Sequence, residues 1–418
     1  MKRTFLTLLA FTLLLAGASA QKTEGLDHTD LMLSDSTRID SIYHHWNDFV
    51  SRHPKDEQAW RNLFDASENK VFRLLSKNKH WQAPLELRRQ MNVVRRMAEA
   101  IPGTYTFYYC AYEGGLTSEE VEKQMAELDI PALFHHDDKY ADSAIATMPD
   151  DASAYDYERW IQYLIPKRDT LRLAGLLARY YESGQYPEEI LQYHFNELQG
   201  MDEGGVYIGA HEGDIIGKLI LQKVLGLHKD KILYDENAVM VREYAEDVFA
   251  RIGIPFDDEV WQSLHSARQQ QMLTAIMCYI FDNSKRPVYL SAHNMWGLIL
   301  GEGLPDELKA KFYNEGLTMR YSASPYDNLS AKRRNTEERY RLEYLRQPFH
   351  PQQKSQQRFA GSVEAYAMDY VYLLHDLLPY YKQHNRTRYQ WLRNTLADII
   401  GQLERKNYDV EDLKGYLK

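Results

Sequence analysis

Two imidazoles and several carboxylates fall where a parallel sheet would gather them. His211, Glu212 and Asp214 follow the apolar run Gly205-Val206-Tyr207-Ile208-Gly209. Asp235 and Glu236 follow Lys231-Ile232-Leu233-Tyr234, and His293 with Asn294 follows Val288-Tyr289-Leu290-Ser291. In an open parallel sheet, ligands bind beyond the carboxyl ends of the strands, where neighbouring strands hold side chains ~5 Å apart. Imidazole nitrogen and carboxylate oxygen together suit zinc or manganese, or equally a general acid and base. The same residues also fit a plainer role: strand-end loops are solvated, and Asp214 stands where a helix N-cap belongs. His135-His136-Asp137-Asp138 resembles a chelating cluster, but consecutive side chains point in different directions, as in an exposed loop. No cofactor is expected. No glycine-rich phosphate cradle or nucleophile elbow occurs, and neither Cys110 nor Cys278 has the flanks of a catalytic thiol.

The elements that must position these residues read as an α/β unit between helical stretches. Gly204 opens a region where apolar runs alternate with helices over 215–225, 241–252 and 260–281. A fourth strand is expected at Gly316–Tyr321. That alternation implies parallel βαβ units and right-handed crossovers. Upstream, Ile39, Ile42, Trp46, Phe49 and Val50 recur at three- and four-residue steps, one face of a helix. Similar patterns follow to about residue 200. Downstream, Ser362 caps an amphipathic helix bearing Tyr366, Tyr370 and Leu374, and a second helix carries Trp391, Leu396 and Ile400.

Within the first helical stretch a proline precedes an aromatic by six residues four times: Pro54/Trp60, Pro102/Tyr108, Pro149/Tyr155 and Pro187/Tyr193. This layout resembles degenerate tetratricopeptide-type helical repeats, although the prolines are unevenly spaced and the small-residue positions are mostly missing. An irregular helical domain whose prolines end helices fits the same residues.

Lys2, Arg3, the apolar run Phe5–Leu15 and Ala18-Ser19-Ala20 have the form of a secretory signal, too short to span a membrane. Export with cleavage after Ala20 is expected, hence a periplasmic or secreted chain that does not span the membrane. Removing Lys2 and Arg3 shifts the net charge from −10 to −12, which argues against nucleic acid as a partner. Thirty-one tyrosines suit helix packing or recognition. The apolar flanks of Cys110 and Cys278 favour buried thiols over a bridge.

Residues 204 to about 385 resemble the soluble C-terminal region of bacterial many-pass glycosyltransferase-like, or protein O-mannosyltransferase-like, membrane proteins. The resemblance lies in the order of pieces. A strand, acid-bearing turn and helix (Gly205–Leu225) precede the strand Lys231–Asp235. Lys285-Arg286-Pro287-Val288-Tyr289, Glu315-Gly316-Leu317 with Arg320, Tyr326-Asp327-Asn328-Leu329 and a helical hairpin follow. The membrane-embedded part of that family is absent here, and His211-Glu212-Gly213-Asp214 departs from the family's Asn/Asp-rich first turn. The resemblance therefore implies an α/β fold on the non-cytoplasmic side and does not imply glycosyl transfer by this chain.

The expected organisation is α+α/β: signal 1–20, mobile leader 21–36, helical-hairpin array 37–203, small parallel α/β unit 204–322, surface connection 323–361 and C-terminal helical hairpin 362–418. The expected function is non-catalytic binding or assembly, with an envelope protein or glycan as partner. A hydrolase or transferase using the strand-end His and carboxylates is the rival.

Overall fold

The computed structural model describes residues 25–26, 35–76, 83–114, 137–209, 212–236, 238–265, 269–293, 306–350 and 362–417. The chain divides into two compact units, Met1–Pro149 and Asp150–Lys418. The helices at 154–200, grouped from sequence with the N-terminal array, thus share a unit with the sheet.

The first unit is built of helix pairs: α1 (Ser36–Arg52), α2 (Glu57–Ser76), α3 (Ala83–Ala100), α4 (Tyr105–Glu113) and α5 (Asp138–Thr147). Asp35 caps α1 by accepting from the Arg38 amide, and Thr104 caps α4 through Phe107. Trp60, Leu63, Phe64, Val94, Met97 and Cys110 are buried. The Pro54/Trp60 spacing has a local cause: the Trp60 indole donates to the Pro54 carbonyl at 2.9 Å. The helix expected at 118–128 and the His135-His136 pair lie outside the described residues.

The second unit opens with α6 (Ala154–Lys167), α7 (Thr170–Glu182) and α8 (Glu188–Gly200). A capping box between Ser153 and Asp156 starts α6. Then come β1 (Val206–Gly209), α9 (Glu212–Leu219) running on as a π-turn through Val224, and β2 (Ile232–Asp235). Next are α10 (Arg242–Ile252), α11 (Asp258–His265), α12 (Gln269–Asn283) and β3 (Val288–Ser291). Helices α11 and α12 both lie on the helix expected over 260–281, and residues 266–268 between them lie outside the described residues. After α13 (Asp306–Lys309), β4 (Phe312–Asn314) and β5 (Thr318–Tyr321) complete a five-stranded sheet of order β2-β1-β3-β5-β4.

Strands β2, β1 and β3 are parallel, with Val206 opposite both Ile232 and Val288. The sheet is nevertheless mixed, because β5 runs antiparallel to β3 and pairs with β4, a strand not expected from sequence. Its three residues are too few to show a period. The turn between them places Gly316 at φ +114°, where a Cβ would also lie 2.5 Å from the Tyr340 hydroxyl.

The strands alternate faces as period two requires. Val206, Ile208, Ile232, Tyr234, Val288 and Leu290 join Val248, Phe249, Ile276 and Ile280 from α10 and α12 in one core. Tyr207, Tyr289 and Ser291 are the alternate positions. Of residues 323–361, read from sequence as a surface connection, 351–361 lie outside the described residues, and the rest carry α14 (Asn328–Arg334), a π-turn to Arg339 and a 3₁₀ turn over Glu343–Arg346. Lys332, Asn335, Tyr340, Leu342 and Leu345 there are buried. The charges concealed the packing, because Lys332 is buried only with Asp376 at 2.5 Å. Finally α15 (Val363–Leu374), α16 (Leu377–His384), α17 (Arg386–Arg405) and α18 (Glu411–Gly415) close the chain. The fold is mostly helical, with helix pairs first, a sheet mid-chain and helices last. Among the described residues fifteen tyrosines are buried, Tyr157, Tyr180, Tyr193 and Tyr207 with them, so tyrosine serves largely as core.

Candidate functional site

The strand order makes β1/β3 a topological switch point: the chain leaves β1 through α9 for β2 on one side, then crosses back to β3 on the other. Ligands in open α/β sheets bind in the crevice at such a point, beyond the carboxyl ends. Four elements send polar side chains toward this place.

Helix α8 presents His194 and Glu197 at i, i+3, and α9 presents Asp214 and Lys218 at i, i+4, so each pair shares one helix face. Tyr207 projects from β1 and Ser291 ends β3. All six side chains are buried. Lys218 Nζ lies 2.6 Å from Glu197 Oε2, 2.6 Å from Asp214 Oδ1 and 2.8 Å from the Asp214 carbonyl, three acceptors for three hydrogens. His194 Nδ1 is 2.8 Å from both Lys218 Nζ and Glu197 Oε2. Nδ1 accepts from the ammonium in one tautomer and donates to Glu197 in the other. Burial and the Lys218 charge hold the His194 pKa below its ordinary value, against the pull of Glu197. The imidazole is thus neutral, and its Nε2 has no partner among the described residues. The Tyr207 hydroxyl sits 2.6 Å from Asp214 Oδ1 and 3.0 Å from Glu197 Oε1, and Ser291 Oγ donates to Glu197 Oε1 at 3.1 Å. Burial, then the two carboxylates, push the Tyr207 pKa well up, so it stays a donor.

Two glycines let these elements approach. A Cβ at Gly209 would lie 2.3 Å from Ile215 Cδ1. One at Gly217 would lie 2.3 Å from the Tyr186 hydroxyl and 2.4 Å from His194 Cδ2, so α9 can press against α8 only through hydrogen.

Beside this closed network stands a more open pair. His293, two residues past Ser291, is half-buried, and its Nδ1 lies 2.6 Å from Oδ2 of Asp369 on α15. Its ring stacks on Tyr366 at 4.3 Å, and Tyr366 also meets His194 edge-on at 5.5 Å. Burial lowers the His293 pKa, but the Asp369 bond and charge, with Asp214 and Glu197 behind, more than reverse it. Burial raises Asp369, against the pull of His293. The pair therefore holds a proton between Oδ2 and Nδ1.

Of the residues singled out from sequence, Asp214 and His293 come into this common environment. Asp214 is not the expected N-cap: α9 starts two residues earlier, and its carboxylate spends itself on Lys218 and Tyr207. Asp235 stands apart at the end of β2, where its Oδ1 accepts from the Ala238 amide at 3.0 Å and caps a 3₁₀ turn. Glu236 is half-buried in the following turn. Glu212 opens α9, and His211 and Asn294 lie outside the described residues. His194, Glu197, Lys218 and Asp369 were missed, because each sits in a helix read only for its apolar period. The signal that would have found them is a polar pair at i, i+3 or i, i+4 on an otherwise apolar face.

Among the described residues, His194, Glu197 and Asp214 are the group whose ligand atoms lie close enough together, within 4.8 Å, to hold a metal ion. The Lys218 ammonium already fills the cation's role there, so the set does not fit a resident metal. No protein-family model, curated protein or solved structure matches the chain.

Proposed function

We propose that this chain is an exported binding protein whose α/β unit takes a neutral, hydroxyl-bearing ligand, a sugar of an envelope glycan, at the β1/β3 switch point. The observation that carries this reading is His293 at the end of β3, fixed through Nδ1 by buried Asp369 at 2.6 Å. Charge supports a neutral ligand. Glu197, Asp214 and Asp369 face only Lys218 and a proton-sharing His293, so an added anion meets repulsion. The positive end of α9 already has Asp214 in its first turn. That count reverses the preference for an acidic ligand that the helix dipole alone suggests. Export rests on residues 1–20, and the resemblance to glycosyltransferase-like proteins supports a glycan context without supplying a transfer site. The paired N-terminal helices would carry the protein-binding part of an assembly role.

The test is calorimetry and thermal shift of the full chain with neutral hexoses, N-acetylhexosamines, a uronic acid, zinc and manganese. A neutral sugar should raise the melting temperature of wild type and leave His293→Ala and Asp369→Asn unmoved. Equal shifts in all three proteins, or a response to metal alone, would defeat this reading. The same dyad favours one second reading, a hydrolase or transferase in which Nε2 moves the proton. Turnover of a chromogenic glycoside by wild type and its loss in His293→Ala would select it.

A further inference from the structure

At the opposite, amino end of the sheet, three guanidiniums converge on one carboxylate. Asp202 follows α8; its Oδ2 lies 2.6 Å from Arg320 Nη1, and its Oδ1 lies 3.3 Å from Arg334 Nη2 and 3.9 Å from Arg339 Nη1. A further acid, buried Glu315, lies 3.6 Å from Arg320. Even with Glu315 charged, three cations meet two anions, in a chain whose net charge is −10.

The three arginines are not equivalent. Arg339 caps α8 by donating to the Gly200 carbonyl at 2.8 Å. Arg320 is bracketed by the Tyr289 and Tyr326 hydroxyls at 3.2 and 3.3 Å and is 20% exposed. Arg334 is 41% exposed, holds Asp202 through one terminal nitrogen, and has a buried Nε with no partner among the described residues. The Nε is withdrawn from solvent, so the exposed terminal nitrogens are the edge that a guanidinium here presents to two oxygens of a tetrahedral oxyanion. Asp202, itself 34% exposed, occupies part of the same basic ground. We infer that Arg334, with Arg320 and Arg339 behind it, forms a surface site for a phosphate or sulfate group, in which Asp202 is the internal competitor.

The competitor gives the test its sign. Inorganic phosphate and sulfate are titrated against the full chain by calorimetry and thermal shift, with sodium chloride at matched ionic strength as the screening control. Phosphate should raise the melting temperature beyond chloride and saturate. Arg334→Gln should weaken phosphate about tenfold, as loss of one charge-assisted contact predicts, while Arg388→Gln on α17 should not. Asp202→Asn should lower stability without ligand yet bind phosphate more tightly than wild type. If the arginines serve only to tie the turn to β5, phosphate and chloride act alike and Asp202→Asn gains nothing. Either of those outcomes, or full binding by Arg334→Gln, overturns the site. A response to phosphate and not sulfate would identify the phosphoryl form of the ligand.

Discussion

The two ends of the sheet handle charge in opposite ways. At the carboxyl end, Lys218, Glu197 and Asp214 are withdrawn from water and saturate one another at 2.6 Å. At the amino end, Asp202 and Arg334 stay 34% and 41% exposed and the positive side is in excess. Desolvating an ion costs several kcal/mol, so a closed cluster must give each ion an opposite charge to face and fill its hydrogen bonds, as Lys218 does for both carboxylates. An exposed cluster need do neither, because solvent screens what is left over. The closed cluster is therefore a frame that sets the position of neighbours such as His293. The open one is a surface that can still gain a partner.

Charge removal is the strongest way to break this contrast. Lys218→Met leaves two buried carboxylates without their cation and should cost ~3–5 kcal/mol in chemical denaturation. Arg334→Gln should cost within ~1 kcal/mol. Comparable losses in both would erase the distinction between frame and surface. Adding Glu197→Gln and Asp214→Asn to Lys218→Met should recover much of its loss.

A smaller effect tests closure rather than charge. Gly217→Ala drives a methyl into Tyr186 and His194 and should cost ~1–3 kcal/mol as overpacking. The same change at Gly401, where the new methyl would meet only the Arg405 side chain at 3.6 Å, should be close to neutral. A neutral Gly217→Ala would mean that α8 and α9 pack more loosely than the glycine implies.

The smallest effect is in pH. His293 titrates above its ordinary 6.5 in the folded chain, so its stabilising contribution is complete below that value. It is lost as pH rises through the folded-state value. Asp369, raised by burial, changes stability in the same direction. The groups facing the imidazole are Asp369 from α15, Glu197 from α8, Asp214 from α9, and the Tyr193 and Tyr366 rings. Stability measured upward from pH 6 should therefore fall more in wild type than in His293→Gln. Parallel curves would detach His293 from the network.

Much of this fold is legible in the sequence. Val206–Gly209, Ile232–Asp235 and Val288–Ser291 are short, apolar and bounded by glycine, proline or polar residues, and the structure pairs all three in parallel. Phe312–Asn314 escapes because three residues carry no period, and residues 328–346 escape because buried Lys332 reads as solvent-facing. The site is half legible. Strand ends direct attention to Asp214 and His293, since topology alone brings strand ends together. Asp369 belongs to a helix 76 residues further on, and no local pattern announces that it returns to β3.

That return has a bearing on how the chain acquires its structure. Glu197 meets Ser291 across 94 positions, Asn196 reaches the Tyr370 hydroxyl across 174, and Asp369 reaches back 76 to His293. Contacts so distant along the chain must wait for long loops to close, which slows assembly. Until α15 has been made, an emerging polypeptide can form the sheet yet lacks the carboxylate that holds His293. The unit therefore completes late, when its last helices arrive.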